Sequence, residues 1–211
     1  MNRPINKVAV IGSGIMGSGI ACHFANIGVE VLLLDIVPRE LTETEKAKGL
    51  SLEDSAVRNR LVNDSLKNAL KSKPSPIYHT SFAKRIQTGN LEDDIARVAE
   101  ADWIIEVVVE RLDIKKQVFE KLEKQRKPGT LITSNTSGIP IAFMSEGRSA
   151  DFQAHFCGTH FFNPPRYLKL FEVIPGPETK KEVLDFLLSY GEKFLGKTPV
   201  LAKDTPAFIG N

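Results

Sequence analysis

A histidine and a glutamate in the last third of the sequence have the side chains needed for proton transfer. His160 lies in the stretch GTHFFNP (residues 158–164), and Glu172 follows twelve residues later. A nearby carboxylate can orient an imidazole and stabilise its charged form, as a proton-transferring dehydrogenase requires. A histidine among aromatic residues is, however, more often a half-buried structural residue. Both interpretations stay open on these residues alone.

A glycine-rich turn near the start of the sequence can hold phosphates. The stretch GSGIMG contains Gly12, Gly14 and Gly17, with Ile15 and Met16 at the start of a predicted helix. The first glycine permits a tight turn, the second leaves room for a pyrophosphate, and the third lets helix and strand pack closely. The helix N-terminus adds free N–H groups and the positive end of its dipole. The pattern predicts a dinucleotide site.

An acidic residue supports this prediction and selects the cofactor. Asp35 ends the apolar stretch EVLLLD (residues 30–35), at the distance of about 20 residues from the glycines that such sites use. A carboxylate there accepts hydrogen bonds from the adenosine ribose and repels a 2′-phosphate. We therefore predict NAD in preference to NADP. Proteins that bind FAD share the glycine pattern, so FAD is the main alternative.

A polar cluster, SNTS, follows a predicted strand and ends with Ser137. The carboxyl ends of parallel strands are where open α/β folds bind ligands. The cluster is therefore a candidate part of the site, although it could equally cap the next helix. His155, Cys157 and His160 lie close together in the sequence, which raises zinc binding as an alternative. On a strand the first two would point to one face and the third to the other, and no fourth ligand is evident, so no metal site is predicted.

The predicted elements that must position these residues alternate between strands and helices. The alternation is typical of an α/β fold with a doubly wound, mostly parallel sheet of the Rossmann type, in one domain over residues 1–211. Strands are predicted at 7–11, 30–35, 85–88, 103–109, 131–133, 156–162, 170–174 and 199–202, and helices at 15–27, 91–100, 114–124 and 180–194. Residues 39–73, inserted after the second strand, are polar and basic with helical spacing. They predict a projecting helical hairpin, either a substrate arm or a solvated surface.

Composition excludes several classes of protein. The 211 residues are 42% hydrophobic and 26% charged, which is ordinary for a globular protein. A net charge of +2 gives no sign of a nucleic-acid surface, and no apolar run is long enough for a membrane span. The start of the chain has no signal or transit pattern, and two distant cysteines suggest no disulfide framework. We expect a cytoplasmic protein, although an organelle matrix also fits.

Five stretches, in order, resemble the 3-hydroxyacyl-CoA dehydrogenases of fatty-acid β-oxidation: GSGIMGSGIA, EVVVERLDIKK, SNTSGI, GTHFFNPPRYLKLFEVI and DTPAFIGN. The likeness is greatest to the dehydrogenase domain of long bacterial β-oxidation proteins. It implies oxidation of a 3-hydroxyacyl-CoA by NAD, with His160 as the base and Glu172 as its partner. It further implies roles for Ser137 and Asn211 in the active site and beside the substrate, for Ser137, Glu110 and Lys115 at the cofactor, and for Ser65 with Lys71 or Lys73 at CoA.

The resemblance also has two departures. Ala207 stands where the family usually has glycine, and the family continues beyond Asn211 into a helical domain that covers the substrate and forms a dimer. We therefore expect this chain to be monomeric and to bind NAD with little or no turnover, and the parent protein to be dimeric or multidomain. The alternatives are a 3-hydroxyacid or sugar-acid dehydrogenase that does not use CoA, and a catalytically silent dinucleotide-binding module.

Overall fold

Eight strands form one sheet in the computed structural model, which describes residues 3–210. The strands are β1 (Lys7–Ile11), β2 (Glu30–Asp35), β3 (Ile86–Asn90), β4 (Trp103–Glu106), β5 (Leu131–Ser134), β6 (Phe156–Phe161), β7 (Leu170–Pro175) and β8 (Thr198–Leu201). The helices are α1 (Ile15–Asn26), α2 (Glu43–Ala47), α3 (Ser55–Arg58), α4 (Arg60–Lys71), α5 (Leu112–Gln125), α6 (Ile141–Ser145), α7 (Ala150–Ala154) and α8 (Lys181–Lys193).

The strand order is β3-β2-β1-β4-β5-β6-β7-β8. Neighbouring strands are parallel except β6 and β7, which are antiparallel. The chain winds outward from β1 in one direction and from β4 in the other, so the order reverses between these two strands. This is the doubly wound arrangement predicted from the sequence, and ligands of such sheets bind at the carboxyl ends beside the reversal.

Both faces of the sheet are buried, which explains the continuous apolar strands. On one face Val10 and Leu33 pack in a cluster with Phe24 of α1 and Leu187 of α8. On the other face Ile11 belongs to a cluster that contains residues of α5 and α7. Helices therefore cover the sheet on both sides and leave its carboxyl edge for the site. Among residues 3–210, no helix is long and apolar enough to cross a membrane.

The insertion after β2 is helical, as predicted, but it contains the three helices α2, α3 and α4. Val57 and Val62 are buried, and α4 contacts α1, β2 and β3. Arg58 fastens the insertion to the turn after β3, because its guanidinium lies 2.7 Å from Asp93 Oδ2 and 2.9 Å from Glu92 Oε2. The segment therefore lies against the body of the domain in place of the projecting hairpin that the spacing indicated.

Two other elements differ from the sequence prediction. The strand predicted to reach residue 109 ends at Glu106, because the backbone N–H of Val108 turns back to the Glu106 carboxylate at 2.7 Å. The helix predicted at 91–100 is a 3₁₀ helix, Ile95–Glu100. Its start is delayed because the Asn90 side chain accepts hydrogen bonds from the N–H groups of residues 92 and 93, which form a turn.

Candidate active site

The three glycines of the first turn differ in what surrounds them. Gly12 has a φ of +102°, and a Cβ there would lie 2.6 Å from the Val107 carbonyl oxygen. A Cβ on Gly17 would lie 1.8 Å from the Gly12 carbonyl oxygen. A Cβ on Gly14 would have nothing within 4 Å. Gly12 and Gly17 are therefore required by backbone packing, whereas Gly14 keeps an open space in front of the turn.

Helix α1 begins directly behind this space. Gly14 is its N-cap, no side chain caps it, and Ile15 is 79% exposed while Met16 is half-buried. The first N–H groups of a helix have no partner within it, and they carry the positive end of the helix dipole. The open space at Gly14 thus meets the groups that bind a pyrophosphate, so the turn fits a dinucleotide.

Asp35, the last residue of β2, is hydrogen-bonded to the same glycine-rich turn. Its Oδ2 accepts hydrogen bonds from the backbone N–H of Ser13, at 2.7 Å, and from the Ser13 hydroxyl. Its Oδ1 accepts from the N–H of Ile36, at 2.7 Å. The carboxylate is half-buried and stands at the edge where an adenosine ribose would lie.

A cleft of about 810 Å³ opens beside Gly14 and Asp35. Ile36 and Val109 line it with side chains that are 56% and 59% exposed, as walls for an apolar ring would be. A larger cavity of about 1260 Å³ lies at the other end of the sheet, against Lys7 and Glu30 at the starts of β1 and β2. We assign the cofactor to the smaller cleft, because it lies at the carboxyl ends of the strands.

Glu110 and Lys115 lie near the ends of β4 and β5. Lys115 is buried, and its Nζ is 2.7 Å from Glu106 Oε1 and 3.3 Å from Glu110 Oε2. Burial raises the pKa of Glu110, but a hydrogen bond from Thr136 and the charge of Lys115 outweigh it and bring the pKa below its usual value. Glu110 is therefore a carboxylate at neutral pH.

Ser137 lies in an exposed loop after β5. The carboxylate of Glu110 accepts hydrogen bonds from this loop. Glu110 Oε1 accepts from the N–H of Ser137 at 2.9 Å and of Gly138 at 3.2 Å. A Cβ on Gly138 would be 3.6 Å from the backbone N of Ala207. The loop with Ser137 therefore contacts the segment that leads to residue 210. Asn211, the remaining predicted site residue, lies outside the described residues.

His160 and Glu172 form a buried pair across the antiparallel strands. They are directly opposite each other in the register of β6 and β7, and His160 Nδ1 is 2.7 Å from Glu172 Oε2. The other oxygen, Oε1, accepts from the N–H groups of Ile209 and Gly210 at 2.9 and 2.8 Å. The carboxylate thus holds the imidazole on one side and the chain segment 209–210 on the other.

Segment 207–210 closes over this pair. The ring of Phe208 is 5.9 Å from the His160 ring, and a Cβ on Gly210 would be 2.5 Å from the Phe162 ring. Ala207 has a φ of 64°, in the region that glycine favours. The glycine that the resemblance suggests at this position would adopt this φ without strain, whereas Ala207 adopts a strained backbone there.

The predicted CoA contacts lie on and after α4. Ser65 is half-buried, and Lys71 and Lys73 are exposed. The chain that follows them is hydrogen-bonded to the loop after β6, because Arg166 donates to the Ser75 carbonyl at 2.8 Å and the Tyr167 hydroxyl donates to it at 2.9 Å. The basic end of α4 is thereby connected to the loop that follows β6.

The structure also places residues that the sequence argument did not single out. Asp204 accepts from the N–H groups of Ile141 and Ala142, at 2.8 and 3.0 Å, and so fixes the start of α6. The side chain of Asn135 accepts from the N–H of Phe161 at 2.8 Å, which connects the end of β5 to the end of β6. Both residues occur in the stretches SNTSGI and DTPAFIGN, which could have indicated them.

Two of the three candidate zinc ligands, His155 and His160, have other hydrogen-bond partners in the structure. His155 is the C-cap residue that follows α7, and its Nδ1 is 2.8 Å from the carbonyl oxygen of Asp151. His160 is instead paired with Glu172. Among residues 3–210, no three potential metal ligands lie together.

A dinucleotide cleft and an imidazole held by a carboxylate, both at the carboxyl ends of the strands, are typical of a dehydrogenase domain of the Rossmann type. The family model described as "3-hydroxyacyl-CoA dehydrogenase, NAD binding domain" matches residues 7–205. The chain belongs to this family, and its cofactor is NAD.

Three known proteins illustrate the relationship. A Bacillus subtilis protein named as a probable 3-hydroxyacyl-CoA dehydrogenase is 56% identical over the whole chain, which is 27% of that protein. A Rickettsia felis protein named as a fatty acid oxidation complex trifunctional enzyme is 40% identical, again over the whole chain and 27% of that protein. A crystal structure of 3-hydroxybutyryl-CoA dehydrogenase from Escherichia coli K12 superposes with a TM-score of 0.73 at 33% identity, over 98% of this chain and 40% of that one. The chain thus spans about a quarter of the first two relatives.

Proposed function

We propose that the parent protein oxidises a 3-hydroxyacyl-CoA to the 3-oxoacyl-CoA in fatty-acid β-oxidation. The observation that carries the proposal is the buried His160–Glu172 pair at the carboxyl edge of a sheet that also forms the NAD cleft. A dinucleotide-binding module without catalytic activity would need the cleft but not the His160–Glu172 pair. The names of the relatives support a CoA substrate and a multifunctional parent protein.

The pair supplies the base for this reaction. An imidazole whose Nδ1–H is donated to Glu172 leaves Nε2 without a proton, so His160 can take the proton of the substrate hydroxyl at Nε2. Glu172 holds the ring in this tautomer and stabilises the imidazolium as it forms. Bound NAD⁺ supplies the acceptor for the hydride that leaves C3 of the substrate.

Further residues orient the substrate and the cofactor. Ser137 and Asn211 direct the substrate oxygens, Asp35 selects NAD over NADP, and the basic residues Lys71 or Lys73 with Ser65 contact CoA. We assign residues 1–211 to one domain that binds NAD. The free, buried Cys22 and Cys157 support a reducing compartment, and we assign the protein to the cytoplasm.

Cofactor binding is tested on the chain itself. Calorimetry should detect NAD⁺ binding, and NADP⁺ should bind at least about ten-fold more weakly because Asp35 repels its 2′-phosphate. Asp35→Ser should reduce the difference in affinity between NAD⁺ and NADP⁺. If NADP⁺ binds as well as NAD⁺, the assigned role of Asp35 is wrong, and if neither binds, the cofactor site is wrong.

Substrate class is tested on the parent protein. NADH oxidation should be rapid with acetoacetyl-CoA and slow with free acetoacetate, and His160→Gln should remove it. Equal rates with both substrates would favour the dehydrogenase that does not use CoA. Full turnover in the His160 variant would remove the basis for the proposed chemistry.

A further inference from the structure

One loop contacts both the buried imidazole and the segment that follows α4. This loop, residues 162–169, joins β6 to β7, and the ring of Phe162 at its start lies 4.3 Å from the His160 ring. Its middle part is hydrogen-bonded to residues 72–79, which follow α4 and which we call the return segment. The loop therefore connects the proposed base to the predicted CoA arm.

Arg166 makes most of this connection. Its Nη1 donates to the carbonyl oxygens of Ser75 and Ile77 at 2.8 and 3.1 Å, and its guanidinium lies 4.2 Å from the centre of the Tyr78 ring. The Tyr167 hydroxyl adds a second donor to the Ser75 carbonyl, at 2.9 Å. Hydrogen bonds from a charged donor are stronger than those from a neutral one, so Arg166 contributes more to the contact than Tyr167 does.

Side chains determine where the return segment lies. It forms neither a helix nor a strand, so its backbone groups need partners elsewhere. Asn26 of α1 is buried, and its amide donates to the Pro76 carbonyl at 2.9 Å and accepts from the Tyr78 N–H at 2.8 Å. Asn26 thus fixes the segment to α1, whereas Arg166 fixes it to the loop beside His160.

The loop is itself held in place. Lys197, which precedes β8, is buried, and its Nζ donates to the carbonyl oxygens of Pro165 and of Leu168, the latter at 2.7 Å. A Cβ on Gly19 of α1 would lie 3.0 Å from Pro165, so the loop also packs closely against this helix. Because the loop is fixed on this side, the Arg166 side chain sets the distance from the loop to the return segment.

We propose that Arg166 is a positioning residue for the CoA end of the substrate and that Tyr167 assists it. The proposal rests on the proposed function, in which His160 takes the proton of the 3-hydroxyl while the basic end of α4 contacts CoA. Arg166 then sets the span between the two ends of the substrate. It acts through the return segment and not by contact with CoA, because two carbonyls and an aromatic ring occupy its guanidinium.

NADH oxidation by the parent protein tests this role with two thioesters. In Arg166→Leu, the KM for acetoacetyl-CoA should rise about ten-fold while kcat stays within about two-fold of wild type. The KM for acetoacetyl-N-acetylcysteamine should stay unchanged, because this thioester lacks the nucleotide of CoA and does not extend to α4. Tyr167→Phe removes only a hydroxyl donor and should raise the KM for acetoacetyl-CoA about three-fold.

Lys169→Met is the matched control for these variants. It removes a positive charge from an exposed side chain of the same loop, and it should leave both KM values as in the wild type. An equal rise in the KM for acetoacetyl-CoA in Lys169→Met and Arg166→Leu would mean that charge alone matters, and it would overturn the proposal.

A double-variant cycle separates positioning from direct contact. In a parent protein that carries Lys71→Met and Lys73→Met, Arg166→Leu should raise the KM for acetoacetyl-CoA less than it does in the wild-type background. Equal fold-increases in the two backgrounds would overturn the proposal. An unchanged KM in Arg166→Leu would also overturn it or, if that variant does not fold, an unchanged KM in Tyr167→Phe.

The second thioester distinguishes the remaining outcomes. A similar rise in KM for both thioesters in Arg166→Leu would indicate general damage to the site, and it would overturn the specific role at the CoA end. A wild-type parent protein that is inactive with both thioesters would instead refute the proposed function.

Discussion

His160 and Glu172 face each other across the one antiparallel strand pair of the sheet within residues 3–210, with Nδ1 and Oε2 2.7 Å apart. Neither side chain can turn away, because both are buried and Glu172 also accepts two backbone hydrogen bonds from residues 209 and 210. The imidazole is therefore oriented before any substrate arrives, which reduces the reorganisation that proton transfer requires.

The first prediction concerns Glu172→Gln in the parent protein. The amide keeps the size of the side chain but cannot stabilise an imidazolium, so turnover should fall by about 100-fold or more. NAD⁺ affinity should stay unchanged, because Glu172 lies outside the dinucleotide cleft. Steady-state kinetics and calorimetry on the same preparation measure both quantities.

The exposed Glu178 provides the matched control for this variant. Glu178→Gln should retain wild-type turnover and NAD⁺ affinity. Retained turnover in Glu172→Gln would mean that the carboxylate has a structural role only.

The second prediction contrasts two glycines of the same turn. Gly14→Ala should leave the free energy of unfolding within about 0.5 kcal/mol of wild type, because the added methyl group meets no protein atom within 4 Å. It should still weaken NAD⁺ binding by roughly ten-fold or more, since the methyl group occupies the pyrophosphate position. Denaturant unfolding and calorimetry separate the two effects.

Gly17→Ala should behave in the opposite way. Its methyl group would lie 1.8 Å from the Gly12 carbonyl oxygen, so the turn must move and the chain should lose about 3 kcal/mol of stability. Equal stability losses in the two variants would contradict the assigned difference between the glycines.

The third prediction concerns the loss of folding stability at acidic pH that the buried His23 should cause. Burial lowers the pKa of His23 to about 4, and the charges of Lys197 and Arg166 act in the same direction. Between this value and the unfolded pKa of about 6.5, the unfolded chain binds a proton that the folded chain does not. The free energy of unfolding should therefore fall as the pH drops through this window, with a contribution from His23 of about 3 kcal/mol.

Urea unfolding of the wild type and of His23→Gln at pH 7 and pH 4 measures this contribution. The glutamine can still donate to the Leu195 carbonyl oxygen that accepts from His23 Nε2. The pH dependence should be smaller in this variant, whereas His79→Gln, at an exposed histidine, should keep it. The same pH dependence in all three proteins would exclude His23 as its source.

Much of the part of the domain that forms the cofactor cleft could be predicted from the sequence, because the patterns that mark its strands and turns are local. β1 and β2 have the predicted bounds, since each is an apolar run closed by a glycine or an aspartate. The helices α6 and α7 were not predicted, because five residues are too few to show helical periodicity. The match over residues 7–205 confirms the family resemblance, and the resemblance is what suggests the roles of His160 and Glu172 that residue types alone leave open.

Other features depend on contacts between distant segments and were beyond sequence reasoning. Glu106 lies in an apolar strand, and its ion pair with Lys115, at 2.7 Å, becomes visible only once the position of α5 is known. Likewise, no local pattern indicates that the insertion lies against α1, because the apolar residues of α4 could have faced a partner as well as the sheet.

The antiparallel pairing of β6 with β7 makes the active site tolerant of some changes in length and intolerant of others. Side chains alternate across a sheet, so a one-residue slip between these strands would carry Glu172 to the face opposite His160. The loop at 162–169 can lengthen at a small entropic cost as long as the two strands keep their pairing. Insertions between the strands are therefore compatible with an intact catalytic pair, whereas a single inserted residue within either strand separates it. In this way the sheet allows the connection between the two strands to diversify while His160 keeps its partner Glu172.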